Sequence, residues 1–133
     1  APYKMNCYNY KTIEYASKAS NYGTKEFNLK TSSRADMIIE ALQAGFSVLH
    51  SDADMTCFKN PFDYIHCDKD SCDIATMVDG VQDNYAVGFD FIRPTASSIS
   101  VYERMKALAV TKKVLYYFNS LFSITVKNHY KVP

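Results

Sequence analysis

A helix that runs into a strand through a single glycine is the feature that most narrows what this chain can become. Ser33 reads as an N-cap with Asp36 three residues on, as in a capping box. Met37, Ile38, Ala41 and Leu42 then recur at helical spacing. Gly45 supplies the left-handed stop that ends helices. Phe46-Ser47-Val48-Leu49-His50 follows at once and reads as a short buried strand. So short a passage from helix to strand is the grammar of α/β folds.

The remaining elements extend that pattern. Asn21-Tyr22-Gly23-Thr24 reads as a turn, residues 12–19 as a short helix, and Asn60-Pro61 as a second turn. The run Ile74-Ala75-Thr76-Met77-Val78, framed by Asp73 and by Asp79-Gly80, predicts a strand that ends in an acid. Ala86 to Ile92, interrupted by Gly88, predicts a third. Thr95 or Ser97 then caps a helix over 98–109 with Ile99, Tyr102, Met105 and Ala109 on one face. A last helix is expected over 112–123, and Ile124-Thr125-Val126 begins another strand. The 133 residues suit one domain, 1–133, or a fragment of a longer one, since the first residue is Ala and no initiating segment is visible.

Fifteen basic residues stand against fourteen acidic ones, so no bulk field points to nucleic acid or to an anionic membrane. No apolar run is long enough to span a bilayer. The four cysteines lack the paired spacing of a zinc site. Cys67 and Cys72 flank a polar turn and would bridge it in an oxidising compartment.

Chemistry concentrates at Ser51-Asp52-Ala53-Asp54. In an extended backbone Asp52 and Asp54 project to the same side, where their charges repel unless a cation or protons neutralise them. A hard ion, Mg²⁺ or Mn²⁺, takes carboxylate oxygens and shares its other positions with water and phosphate. The pair lies at the carboxyl end of a strand, where open α/β sheets place their ligands, and Asp79 ends the next strand in the same way. Asp68 to Asp79 faintly suggests a calcium loop, but Cys72 stands where an oxygen ligand belongs and Asp73 where the sharp turn needs Gly. His50, on an apolar strand, reads as a satisfied core residue, and His66 as solvated. A competing reading of Val48 to Thr56 is the apolar strand and D-x-D-x-T of haloacid-dehalogenase-type phosphatases, with Asp52 as nucleophile and Asp54 as general acid/base.

Longer stretches favour a different family. Tyr22-Gly23-Thr24-Lys25-Glu26-Phe27-Asn28, Ala41 to Leu49, Ser51-Asp52-Ala53-Asp54, Lys59-Asn60-Pro61-Phe62, Gly88-Phe89 and Ile92-Arg93-Pro94-Thr95 together resemble the nucleotide-diphospho-sugar transferase family related to glycosyltransferase family 77. The resemblance implies an α/β, GT-A-like (Rossmann-like) mixed sheet flanked by helices, complete or partial. It implies a nucleotide-sugar donor held through Mn²⁺ or Mg²⁺, a glycan or glycoprotein acceptor, and a place in the Golgi lumen or secretory pathway. By position, Asp52 and Asp54 would be the metal ligands. Asp52, Arg34 and Gly88 would line the donor site, and Asp79 would act near the sugar or acceptor.

Two departures stand out. Ala86-Val87-Gly88 lacks the family's Asn before the glycine, and Thr111-Lys112-Lys113 replaces an expected Asp-Gln pair. They motivate a second reading, a non-catalytic relative that binds nucleotide or glycan. His129 falls in a segment resembling a pre-terminal strand and is not assigned as a metal ligand.

Overall fold

A computed structural model describes residues 19–21, 24–67, 72–78 and 85–111. Helix α1 spans Lys25–Gln43. It starts earlier than the Ser33 cap predicts because Thr24 caps it: the Thr24 hydroxyl accepts from the Phe27 N–H at 3.2 Å. The Thr24 N–H in turn donates to the Asn21 carbonyl at 3.2 Å, a turn bond across 21–24. Ser33 lies inside the helix and donates its hydroxyl back to the Lys30 carbonyl at 2.7 Å, a local bond of the kind serine makes in place of capping. The C-terminus ends as expected. Gly45 has φ +86° and donates to Leu42 O, and Phe46 donates to Ala41 O, a Schellman stop.

Strand β1 is Val48–Ser51, β2 is Ile74–Val78 and β3 is Tyr85–Ile92. They form a three-stranded sheet in the order β1-β3-β2, and both pairings are antiparallel. The α/β architecture is therefore present, with its described pairings all of one sense. A single-turn 3₁₀ helix, Pro61–Asp63, follows β1; the Asn60 side chain caps it by accepting from the Phe62 N–H. Helix α2 is Ala96–Thr111, capped by the Thr95 hydroxyl on the Ser98 N–H. The expected helix over 12–19, apart from its last residue, and the elements expected beyond 111 lie outside the described residues.

Both helices cover one side of the sheet. Ala35, Ile38, Ile39 and Leu42 of α1 meet Val101, Tyr102 and Met105 of α2 around Ile92, with Val48 and Ile74 packed against them. Of the predicted stripe on α1, Ile38 and Leu42 are buried, Ala41 is half-buried and Met37 is exposed, and Ala35 and Ile39 complete the buried face. The other side carries Phe91, met edge-on by Phe62 at 6.3 Å. Cys67 and Cys72 form a disulfide beside the start of β2. No described helix is long and apolar enough to cross a membrane.

Candidate nucleotide-sugar site

Antiparallel register stacks the helix-facing residues of the sheet in three rows. Val48, Ile92 and Ile74 are mutual partners across the strands, then His50, Asp90 and Thr76. One step further, the Asp52 N–H donates to the Gly88 carbonyl at 2.8 Å, so the ladder continues past the end of β1. The pairing of β2 shifts between Thr76 and Met77, whose partners on β3 are Asp90 and Ala86. Gly88 thus keeps its neighbour on β1 while lying in the bulge on the β2 side.

The last row brings three of the sequence-derived site residues together. Arg34, on the sheet-facing side of α1, places Nη1 3.1 Å from Asp52 Oδ1, with the side chains 27% and 41% exposed. A Cβ on Gly88 would stand 3.0 Å from the other carboxylate oxygen, Oδ2. Asp52 is therefore bounded from three directions: a guanidinium, a backbone ladder bond and a glycine backbone on which a Cβ would crowd the second carboxylate oxygen. Asp54 is exposed and forms no hydrogen bond or ion pair with another described residue. It does not continue an extended strand. The Met55 N–H donates to the Asp52 carbonyl at 3.2 Å, closing a turn across 52–55, so strand alternation does not set the relation of the two carboxylates. Asp79 lies outside the described residues.

No three His, Cys, Asp or Glu side chains group around a common cation position among the described residues. The donor type nevertheless suits a hard dication, which accepts one or two carboxylates and completes its shell with water and phosphate. Asp54 presents an exposed carboxylate for that role, and Asp52 does so while one of its oxygens is shared with Arg34.

The middle row holds residues that sequence reasoning missed. Asp90 is 1% exposed on the central strand. Its Oδ1 lies 2.5 Å from the Thr76 hydroxyl, and its Oδ2 lies 3.6 Å from His50 Nδ1. Tyr102, buried in the core cluster, feels this row electrostatically; burial first, and then the negative charge of Asp90, push its phenol well above the usual range, with Arg34 acting the opposite way. The available signal was an Asp at a core-facing position of an apolar strand. Only the register shows that it meets His50. Lys30 was missed as well: with Arg34, His50 and Asp52 it lines a cleft of about 500 Å³ between α1 and β1.

The sequence profile of the family described as nucleotide-diphospho-sugar transferase matches residues 3–120. The chain belongs to that family. Arg34, Asp52 and Gly88 all fall inside the matched range of the transferase family. Arabinosyltransferase RRA2 of Arabidopsis thaliana is 45% identical over 51 residues, which is 38% of this chain and 11% of that protein. The aligned stretch thus spans a small part of the relative's length. No solved structure matches the chain.

Proposed function

We propose that this protein binds a nucleotide-diphosphate sugar at the Asp52 end of the sheet and transfers the sugar to a hydroxyl of a glycan or glycoprotein. Family membership supports the donor class. The observation that carries the reading is the convergence of Arg34 from α1 and Gly88 from β3 on the Asp52 carboxylate at the end of β1. Neither packing nor a partly exposed ion pair, worth about 0–1 kcal/mol, explains so constrained an acid. A constrained acid is what a binding site needs, because ligand geometry tolerates little looseness.

In this reading Arg34 holds Asp52 in place and offers its fork of N–H donors to diphosphate oxygens. Asp54, in its exposed turn, and Asp52 hold Mn²⁺ or Mg²⁺. When bound, the cation supplies Lewis-acid neutralisation of the charge that develops on the leaving diphosphate. The Cys67–Cys72 bridge supports assembly in an oxidising compartment, consistent with the Golgi lumen or secretory pathway.

The test is thermal melting with UDP, or another nucleoside diphosphate, in the presence and absence of Mn²⁺. A metal-dependent rise in Tm that Asp54→Ala abolishes is expected, and no rise with any nucleotide would sink the proposal. Ala86-Val87-Gly88, which offers no side-chain amide beside the glycine, keeps a non-catalytic binder as the second reading. Slow hydrolysis of a UDP-sugar by the wild type, lost in Asp54→Ala, selects the enzyme; binding without turnover selects the binder.

A further inference from the structure

We propose that His50 is a donor-binding residue, held by the buried carboxylate of Asp90 so that its ring faces the α1–β1 cleft and contacts an oxygen of the donor's diphosphate. The inference rests on the donor reading above and extends it to side chains that reading does not use.

The case begins with Asp90. A carboxylate buried on a central strand is unfavourable unless its partners compensate for lost water, and an apolar residue there would pack without that cost. Thr76 satisfies one oxygen. The other, Oδ2, has no hydrogen-bond partner among the described residues and lies 3.6 Å from His50 Nδ1, which is buried and likewise unbonded among them. Core packing therefore does not account for Asp90, whereas a role in fixing the imidazole does. A histidine whose one nitrogen faces a carboxylate is restricted in ring orientation, which is how proteins aim the other edge of the ring.

That other edge meets the cleft. Because Nδ1 is buried, the 17% exposure of the His50 side chain belongs to its other atoms, and His50 is part of the cleft wall. Lys30 and Arg34, one helical turn apart on α1, form the opposite wall. His50 also precedes Asp52 by two strand positions on the same side of the sheet, about 7 Å along the strand. A diphosphate in this cleft would have two cations on one side, an imidazole on the other, and the acidic turn at its end. Asp90 is 1% exposed and has Thr76 and His50 as its polar neighbours among the described residues, so it is a positioning residue.

The experiment is calorimetric titration of the folded protein with inorganic pyrophosphate and with UDP, each with Mn²⁺, joined to NMR of the His50 imidazole. His50→Leu is expected to weaken both ligands about tenfold, and His50→Gln, which keeps a side-chain N–H, to recover most of the loss. Asp90→Asn should weaken binding about threefold and broaden or move the His50 imidazole signal before any ligand is added. In the wild type that signal should move on addition of pyrophosphate. If the wild type binds UDP and His50→Leu binds it equally well, the inference falls and the donor reading stands. If Asp54→Ala leaves binding intact while His50→Leu weakens it, the imidazole contact stands and the cation's place in the donor reading falls. If the wild type binds neither ligand, both fall. Should His50→Leu fail to fold, a His50 signal unmoved by pyrophosphate in the wild type overturns the inference by itself.

Discussion

The two ends of the helix-facing side of the sheet are built from the same three strands and the same helix, yet they do opposite things. At one end Val48, Ile92 and Ile74 meet Ile38 and Leu42 in an apolar layer. At the other, His50, Asp90, Thr76, Asp52 and Gly88 meet Arg34, two α1 turns before Leu42 and one before Ile38. Burying a side chain such as Ile92 contributes about 1.5–3 kcal/mol. The Arg34–Asp52 pair, partly exposed, contributes about 0–1 kcal/mol. The helical period of α1 and the β1–β3 register run unbroken through both ends, and only the β2–β3 pairing shifts, beyond Thr76, so the same helix and strand pair carry either chemistry. The apolar end holds the fold and the polar end accepts a loss of packing to place charge.

That division can be broken by mutation, beginning where the effect on stability is largest. Ile92→Ala should lower unfolding free energy by about 2–5 kcal/mol, read by urea denaturation, while the folded fraction binds UDP and Mn²⁺ with unchanged Kd. A parallel loss of affinity would mean the two ends are not separable. Tyr102 joins them, and its raised phenol makes the joint pH-sensitive. Above pH 10.0 the unfolded chain releases this proton and the folded chain keeps it, so the contribution is complete below that pH and declines above it. Wild-type stability should therefore fall by up to about 1.4 kcal/mol per pH unit above 10 relative to Tyr102→Phe. Equal alkaline slopes for the two proteins would remove Tyr102 from the joint.

Gly88→Ala sharpens the contrast from the polar side. Alanine is otherwise favoured over glycine in a strand by about 0.5–1 kcal/mol, so the melting temperature should change little. The new Cβ must displace the Asp52 carboxylate from its 3.0 Å approach, and metal-dependent nucleotide affinity should fall about tenfold or more. Asp54→Ala should have the smallest effect on stability, within about 0.5 kcal/mol, because the side chain is exposed. It should nevertheless abolish the metal-dependent rise in Tm. A large drop in stability with binding retained would reverse the roles given to these residues.

Local chemistry made much of the apolar end legible. Gly45 announces the helix stop because left-handed backbone requires it, and the strand over 74–78 is bounded by residues that disfavour strands. Start points were harder: Ser33 has capping chemistry but uses it on its own helical turn, and Thr24 does the capping. At the polar end, residue types were visible and relations were not. Asp52 and Asp54 stood out at once, yet the turn bond from Met55 to Asp52 cancels the alternation expected of an extended chain. Arg34 was singled out by resemblance, and its contact with Asp52 depends on how α1 crosses β1. His50 and Asp90 are remote in sequence and meet only through register, which no local pattern encodes.

The close approach of Gly88 to Asp52 has a consequence on the timescale of descent. While an aspartate occupies position 52, every side chain larger than hydrogen at position 88 pushes against it, and selection at 52 is also selection at 88. Once a lineage abandons Asp52 for a smaller residue, that restraint disappears and position 88 is free to drift. Positions 52 and 88 are therefore expected to change together among relatives, an expectation that an alignment of the family tests directly.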